Sequence, residues 1–600
     1  MPLVSAKIPP ARGALRCFAL AAALFSTTVL GQTAPDTYVY QTVARALTLD
    51  PSQANDLGSA MVVENIYETL FGFEGGDLDS VVPRLATGYQ VSEDALTWTF
   101  SLREGVTFHS GNPFGCKDVE YSFEYGAIAA RPDGAFASLL GNRWPGSAAT
   151  GDAGEGAGGA RTADGSLAAA ATWEGIDAIV ACPDGPDGST VQLSLGEPVG
   201  ALLAILAHHS FSILDSEFAI AGGAWDGTES SWSDWLTRDL TTEFLHANPS
   251  GTGAYRLETW DAEGVTATAF DSYWGGTPPH ARVVLRYVDD QAAREQALIA
   301  GEAARIDLAD RSTLDTLAAS ESVSVHRSAD WTFATVTGLF FNFDLALAGE
   351  EAVGSGQLDG NGVPRDFFTD VDVRLAFTHL FDQAGFVEQT YGGSGITLAA
   401  PLPPAFPGYL AGAVRGLDVD AAAEHFQRAF EGRLWETGFK FSAYYNLGNT
   451  VRRDALEMIK ANLEAINPRF KMDVRDLPWP EFLAAVSEGR APLFAISWGA
   501  DFADPIAFVE TFFSADGRFA ARTHIAVPEL QELADSAAAL TDPRERAVHF
   551  SALSELHHEL APMILVPLQT WFIVTSADLS GVYFDPLLAG QFLWRDVSRE

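Results

Sequence analysis

The chain has 600 residues, with 79 acidic against 37 basic side chains and a formal net charge of −42. Such a negative field makes nucleic acid and anionic membrane surfaces poor partners. The chain is too long for one hydrophobic core, and a hydrophobic content of 47% with 39 Phe and 14 Trp supplies core material for a globular protein of two or three domains.

The first 31 residues have the pattern of a secretory signal peptide. Three basic side chains precede an apolar run from Cys17 to Leu30, and Gly31 and Ala34 offer small residues for cleavage. A signal anchor is the alternative, although the apolar run is short for a membrane span. We therefore expect residues 1–31 to be cleaved and the mature chain to be periplasmic or otherwise extracytoplasmic.

The cysteines fit an oxidising compartment. Cys17 would leave with the signal peptide, so that Cys116 and Cys182 remain as an even pair. A disulfide between these two is the prediction for an exported protein. Two separate buried thiols are the alternative.

The next elements are a strand and an insertion. Residues 96–102, LTWTFSL, alternate apolar and polar side chains as a half-buried strand does. Residues 145–172 are almost all Gly, Ala, Ser, Thr and Asp, and lack the large apolar side chains that offset the entropy of ordering. We expect a flexible surface insertion there, because strand-like sequence resumes directly after it.

The C-terminal third alternates helices and strands. Residues 451–466 place apolar side chains on one helical face, and Asn467-Pro468 ends the helix. The segment FKMDVRDL predicts a strand, WPEFLAAVSEG a helix and PLFAISWGAD a second strand. This rhythm indicates α/β layers with parallel pairing, in which ligands gather at the carboxyl ends of strands. Asp501 lies at such an end.

Six segments, taken together and in order, resemble the extracytoplasmic solute-binding proteins of peptide ABC transporters (family 5, which includes dipeptide- and oligopeptide-binding proteins). They are LTLDPSQANDLGSAMVVENIYETLFGF (47–73), the long signature from PRLATGY to DVEYSFE (83–124), GTGAYRLETW (251–260), YWGGTPP (273–279), the stretch from VRLAFTHL to PAFPGY (373–409) and SWGADFADP (497–505). The second segment departs from the family pattern at Asp94-Ala95 and at Cys116.

The resemblance implies an α/β, two-lobed periplasmic-binding-protein fold (class II-like) with hinge-crossing segments, divided into three domains. We predict domain I at 32–70, 207–290 and 560–600, domain II at 71–206 with the insertion, and domain III at 291–559. A ligand would lie between the lobes and be enclosed when they close about a hinge.

The resemblance also implies a site for a peptide amino terminus. In peptide-binding members the aspartate of the SWGADFADP loop pairs with the ligand's ammonium group, and Asp501 is the matching position. Trp498 and Phe502 would supply an apolar wall around this charge pair. A solvated or helix-capping Asp501 is the alternative. Asp504 before Pro505 is interpreted as a turn or cap residue, with a second ligand contact as its alternative.

Other candidate ligand contacts come from the helix start and from a strand. Peptide-binding relatives place basic residues near Arg452 and Arg453 that meet the ligand carboxylate, although paired arginines on a helix are often solvated. Some relatives carry an arginine six residues before the loop aspartate, where this chain has Ala495. The segment GLFFNF, with Gly338 and Phe340, resembles a family strand whose backbone can pair with an extended ligand; a plain buried strand is the alternative.

Two other interpretations stay open. The same fold and transport role could serve an oligosaccharide, a nickel chelate or another small solute. A secreted hydrolase would need Asp501 and Asp504 as acid and base on opposite sides of one bond, which two acids in one short loop rarely achieve. The sequence predicts a monomer that is not an enzyme, binds neither a cofactor nor a metal, and has a peptide ligand and the permease subunits of an ABC transporter as partners.

Overall fold

The fold is described from a computed structural model of the chain. The structure describes residues 36–129, 139–140, 143–145, 172–412, 414–514, 517–525 and 527–599. The predicted signal peptide at 1–31 and most of the predicted insertion, 146–171, lie outside the described residues.

The first lobe is built on an eight-stranded mixed sheet formed by the described part of the chain. In spatial order its strands are Val323–Thr332, Leu568–Ser576, Arg305–Ile306, Thr37–Thr42, Arg282–Tyr287, Gly264–Ala269 and Tyr255–Asp261, with Gly395–Ile396 joined to Leu568–Ser576. The strand Thr37–Thr42 runs parallel to both its neighbours. An antiparallel sheet of Ala86–Val91, Thr97–Leu102, Thr190–Ser194 and Val180–Ala181 adds a second layer, and it includes the strand predicted from LTWTFSL.

The second lobe is built on a five-stranded sheet. Its order is Phe470–Leu477, Phe439–Asn446, Leu493–Gly499, Thr335–Phe341 and Met563–Val566. The strand Phe439–Asn446 is parallel to the strands on both sides, as predicted from the alternation of helices and strands. The strand Thr335–Phe341 brings the chain into the lobe and is antiparallel to both of its neighbours, of which Met563–Val566 leads the chain out again.

Helices cover both lobes. In the first lobe they are Leu57–Ile66, Cys116–Ala129, Trp173–Asp177, Leu202–Leu206, Ser216–Gly222, Trp232–Trp235, Gln291–Ile299 and Leu314–Ala318. In the second lobe they are Glu350–Val353, Val371–His379, Gln383–Tyr391, Val419–Arg428, Arg433–Thr437, Thr450–Ile466, Trp479–Ser487, Ile506–Phe513, Arg518–Thr523, Pro528–Ala539 and Pro543–Leu560. Two short strand pairs complete the first lobe: Phe71–Glu74 with Asp77–Pro83, and Leu579–Ser580 with Ser598–Arg599.

Local sequence determines where the helix Thr450–Ile466 begins and ends and which face it buries. The side chain of Asn449 accepts a hydrogen bond from the backbone N–H of Arg452 and caps the helix start. Ala455, Ile459 and Leu463, which the sequence places on one face, are buried against the sheet. The helix ends before Pro468, as predicted.

Within the described residues, the chain passes from the first sheet to the second after Thr332 and returns to the first at Pro567, and between these points only the short strand Gly395–Ile396 pairs with the first sheet. The predicted division into three domains stays a prediction, and its boundaries near 290 and 560 come earlier in the chain than these two connections. The strand Val323–Thr332 pairs with Leu568–Ser576 in the first sheet, and Met563–Val566 pairs with Thr335–Phe341 in the second. Residues 291–332 therefore belong to the first lobe, and residues 560–566 to the second.

Candidate functional site

A cavity of about 760 Å³ lies between the two lobes. It is lined by the first helix and the Phe71–Pro83 hairpin of the first lobe, and by the loop after Leu493–Gly499 of the second lobe. Its volume falls in the range of small-molecule sites. Its charged lining consists of five carboxylates, Asp56, Glu64, Glu68, Asp501 and Asp585, and three arginines, Arg84, Arg518 and Arg595.

Asp501 projects from the loop that follows a buried strand. The backbone N–H of Ala500 donates to the carbonyl of Ala334 at 2.8 Å, so the sheet pairing continues to the base of the loop. The side chain of Asp501 is exposed to the cavity, whereas Phe502 beside it is buried. The carboxylate therefore faces the cavity from a firmly held backbone.

Trp498 forms a fixed wall beside Asp501. Its indole N–H donates to the carbonyl of Ala507 at 3.0 Å, which sets the orientation of the ring. The guanidinium carbon of Arg518 lies 4.8 Å from the centre of the ring, within the range of a cation–π contact. Trp498 and Phe502 line the cavity, and their contact with a ligand stays a prediction. Arg518 lines the same part of the cavity and was not predicted from the sequence.

The charge of Asp501 is only partly compensated. Burial raises the pKa of Asp501, and the charge of Arg518 opposes this rise. Burial likewise lowers the pKa of Arg518, and Asp501 opposes that change. Within the described part of the chain, no side chain hydrogen-bonds the Asp501 carboxylate or forms an ion pair within 4.0 Å of it. The Asp501 carboxylate is therefore free to accept a cationic donor from a ligand.

Asp504 has a structural role that separates it from Asp501. Its carboxylate accepts hydrogen bonds from Arg546 at 2.5 and 2.7 Å and from the backbone N–H of Ile506 at 2.9 Å. Both side chains of the ion pair are buried, and neither lines the cavity. The two aspartates therefore do not flank one bond, which contradicts the hydrolase alternative that required them as an acid and a base.

The predicted carboxylate contacts at Arg452 and Arg453 lie outside the cavity. The buried guanidinium of Arg452 donates to Asn446 at 2.6 Å and to Ser497 at 3.0 Å. Arg453 is exposed and pairs with Asp454 at 2.8 Å. The helix places one side chain against the sheet and the other in solvent, so neither faces the space where Asp501 lies.

The predicted backbone contact at Gly338 and Phe340 is likewise absent from the cavity lining. Their strand is paired on both sides, with Gly338 opposite Ile496 and Leu565. A Cβ atom on Gly338 would stand 2.6 Å from the ring of Phe340, so the glycine makes room for that ring. The ring of Phe340 is buried among other phenylalanines. This interior strand has no free edge for an extended ligand at these positions, and the alternative of a plain buried strand describes them.

Cys116 and Cys182 are joined by a disulfide in the structure, with their Cα atoms 5.7 Å apart. Cys116 begins the helix Cys116–Ala129, and Cys182 follows the edge strand Val180–Ala181. The bond therefore ties the helix to the four-stranded sheet of the first lobe.

The first-lobe wall of the cavity carries a dense polar network around Glu68. Its carboxylate accepts hydrogen bonds from Thr252 at 2.9 Å, Tyr273 at 3.0 Å and Trp274 at 2.6 Å. Arg595 donates to it at 3.0 Å and completes a largely buried ion pair. Glu68 is thus fully engaged within the lobe and has a mainly structural role.

Two further carboxylates, Asp585 and Glu64, lie on the same wall of the cavity. The pKa of Asp585 is raised to about 7, first because the group is buried and then because Glu64 repels its negative charge. The backbone N–H groups of Leu587 and Leu588 donate to Asp585 at 2.8 and 3.0 Å and oppose this rise. Together with Asp56, Glu68 and Asp501, these two groups make five carboxylates against three arginines in the cavity lining.

The comparisons with known proteins agree with this architecture. A model of the family described as bacterial extracellular solute-binding proteins, family 5 (middle) matches residues 80–520. The chain belongs to this family. The match confirms the resemblance to family-5 solute-binding proteins that the sequence indicates, and the solved structures confirm the predicted two-lobed α/β fold.

Individual relatives of this family-5 solute-binding protein span most of its length. The dipeptide-binding protein of Escherichia coli strain K12 is 23% identical over 563 residues, which cover 89% of each chain. Among solved structures, HbpA2 from Haemophilus parasuis has a TM-score of 0.73 at 20% identity, covering 94% of this chain and all of the other. The binding protein DppA from Helicobacter pylori, in complex with the peptide STSA, has a TM-score of 0.60 at 22% identity and covers 94% and 98% of the two chains.

Several cavity residues of this solute-binding protein were not predicted from the sequence. Arg84, Arg518, Arg595 and Asp585 come from distant segments and follow no shared spacing. Tyr67 and Glu68 belong to the segment 47–73 that carries part of the family resemblance, but the sequence did not predict their position on the cavity wall. Arg518 begins a helix that follows the Asp501 loop in the chain, which is the one local signal that could have indicated it.

Proposed function

We propose that this family-5 solute-binding protein captures short peptides through their free amino terminus and delivers them to the permease of an ABC transporter. The observation that carries the proposal is Asp501, a carboxylate without a close partner in the described structure that faces a cavity between two lobes. Every peptide with a free amino terminus carries the matching ammonium charge, so one fixed carboxylate recognises the class without reading side chains.

Closure of the lobes would strengthen the ion pair between Asp501 and the ammonium group of the ligand. Removing two charges from water is costly, and the cost is recovered only where their geometry is close and water is excluded. The apolar wall of Trp498 and Phe502 provides the dry surroundings. Movement about the crossings after Thr332 and at Pro567 would enclose the ligand, as in other hinge-closing binding proteins.

The comparisons support a peptide over the other solutes considered. One relative is named a dipeptide-binding protein, and one related structure holds a peptide. Across the described ranges, no group of three or more His, Cys, Asp or Glu side chains is arranged to hold a metal ion. The surplus of carboxylates in the cavity suits a ligand with a positive charge and is unfavourable for an anion of the same size.

The protein acts as a carrier and not as an enzyme in this proposal. Its relatives are binding proteins, and Asp504, the second acid of the hydrolase alternative, is used in an internal ion pair. We place the carrier in the periplasm, with the segment 1–31 as its export signal. Among the described residues, no helix is both long and apolar enough to cross a membrane.

Calorimetric titration of the mature protein tests the proposal. Ala-Ala, Ala-Ala-Ala and Ala-Ala-Ala-Ala are each added as the free peptide and as the N-acetylated peptide. We expect at least one free peptide to bind and its acetylated form to bind far more weakly, because acetylation removes the ammonium charge. Equal affinity for the two forms would contradict the role of Asp501, and no binding by any peptide would contradict the peptide proposal itself.

A further inference from the structure

Backbone contacts hold the side chain of Arg84 in place on the first-lobe wall of the cavity. Its Nη2 donates to the carbonyl of Phe73 at 2.7 Å, which fixes one side of the guanidinium group. The stem lies flush against Gly72, where a Cβ atom would stand 3.0 Å from Nε and 3.3 Å from Cγ of Arg84. The hairpin Phe71–Pro83 therefore holds the side chain by its backbone, and Arg84 is one of the residues that line the cavity.

The charge of Arg84 has no counterion in contact. Of the residues that the structure describes, none forms an ion pair with it within 4.0 Å, whereas Arg595 nearby pairs with Glu68 at 3.0 Å and Asp596 at 3.7 Å. Burial, followed by repulsion from Arg595, lowers the pKa of Arg84. The acidic groups Glu68 and Asp596 act on it only from a distance. Such a cation is stabilised by a ligand anion.

Arg518, the other candidate on the cavity wall, is less suited to a ligand carboxylate. Its charge acts on Asp501 and is offset by it, and its guanidinium lies over Trp498. A carboxylate placed there would approach the negative charge of Asp501. Arg84 lies in the other lobe, directly after the strand pair that contains Gly72 and Phe73.

We propose that Arg84 binds the terminal carboxylate of the peptide whose amino terminus is held by Asp501. The inference rests on the proposed function, and it assigns the two ligand charges to opposite lobes. A guanidinium group can donate two parallel hydrogen bonds to a carboxylate, and the bond to Phe73 orients it for this contact. A peptide bound at both ends would join the lobes and favour the closed form. The cavity would then select peptides whose two ends span the distance between the walls.

The test combines substitutions in the protein with chemical changes at the two ends of the peptide. Arg84→Gln removes the charge, Arg84→Lys keeps it without the planar fork, and Arg286→Gln changes an exposed arginine of the same lobe outside the cavity. Each variant and the wild type are titrated with the three alanine peptides as free acids, as C-terminal amides and as N-acetylated peptides. Thermal unfolding of each ligand-free variant checks that the fold is intact.

We expect the wild type to bind the free acid at least about tenfold more tightly than the amide, as for loss of a charged hydrogen bond. Arg84→Gln should weaken the acid by a similar factor, leave the amide nearly unchanged and so remove the preference. Arg84→Lys should keep part of the preference for the free acid over the amide, and Arg286→Gln should keep the whole preference. These results would support the assignment.

An acid preference that survives in Arg84→Gln, or an equal loss for acid and amide, would overturn the role of Arg84. If acetylation weakens binding while amidation does not, the amino-terminal site stands and only Arg84 is wrong. If none of the peptides binds the wild type, the proposed function fails together with the inference.

Discussion

The guanidinium of Arg546 donates two hydrogen bonds to the carboxylate of Asp504, and both side chains are buried. Arg546 also donates to the carbonyl of Ala537 at 3.0 Å, so the pair ties the Asp501 loop to the two helices Pro528–Ala539 and Pro543–Leu560. The loop that presents Asp501 to the cavity is thus held from behind by a second aspartate three positions further on.

The first prediction concerns this support. Asp504→Ala leaves the Arg546 charge buried and unpaired, which typically costs about 3–5 kcal/mol of stability. We expect a matching fall in the free energy of unfolding, measured by urea titration of the ligand-free protein. Arg544→Ala, whose side chain is 94% exposed, is the control and should unfold like the wild type. Unchanged stability of Asp504→Ala would contradict the structural role.

The second prediction concerns Asp501 itself. Asp501→Ala should weaken an amine-terminated peptide by about 2–5 kcal/mol, because one partner of an enclosed charge pair is lost. Its effect on the ligand-free protein should be small, since its carboxylate faces the cavity. The exposed Asp315→Ala serves as the control. Acetylating the peptide should add little further loss in Asp501→Ala; a full additional loss would place the ammonium group elsewhere.

The third prediction concerns contact between the lobes. The backbone N–H of Gly200 in the first lobe donates to the carbonyl of Ala538 in the second at 2.9 Å. A Cβ atom on Gly200 would stand 2.0 Å from the carbonyl oxygen of Leu540, so Gly200→Ala should force the lobes apart. We expect a loss of peptide affinity of about 1–3 kcal/mol, as for other overpacked contacts.

Small-angle scattering with saturating peptide measures the predicted opening as a larger radius of gyration. Gly196→Ala is the matched control, because its added Cβ meets nothing closer than 3.4 Å. Identical scattering curves for Gly200→Ala and the wild type would mean that the lobes close without this contact.

The fourth prediction concerns the disulfide. Cys116 and Cys182 are separated by 66 residues. Closing a loop of that length stabilises the folded state by about 4 kcal/mol in the chain-entropy account. We expect reductant to lower the urea midpoint of the wild type, and Cys116→Ala/Cys182→Ala to show the lowered midpoint with or without reductant. Two reactive thiols in the unfolded, unreduced protein would show instead that the bond does not form.

The fifth prediction is a pH dependence. The pKa of the buried Glu124 is raised to about 8, first by burial and then by repulsion from Glu120 and Asp177. The folded protein therefore holds a proton that the unfolded chain has released, so stability falls as pH rises from about 4.5 to 8. Glu124→Gln should flatten this fall, which urea titrations at pH 4 and pH 8.5 would measure. An equal fall in both proteins would exclude Glu124 as the source.

The fold and part of the site could be predicted from the sequence because their signals are local. The helix ending before Pro468, the parallel strands on either side of it and the position of Asp501 after a buried strand all follow from short-range patterns. The family resemblance then supplied the two lobes.

The rest of the site depends on contacts between distant segments. Arg84 reaches the cavity because a hairpin with Gly72 holds it there, and Asp585 because the chain returns to the first lobe after Pro567. Arg452 fitted the pattern of a ligand contact, but the pairing of its helix with the sheet directs it to Ser497. The positions of these three side chains do not follow from their spacing along the chain.

Mass spectrometry of the ligand that co-purifies with the mature protein, released by denaturation, tests the central claim most directly. We predict short peptides with free amino termini, and their lengths would report the span between Asp501 and the opposite wall. A sugar, a metal chelate or a single small amine would leave the fold and the transport role intact, and would contradict the assignment of this cavity to peptides.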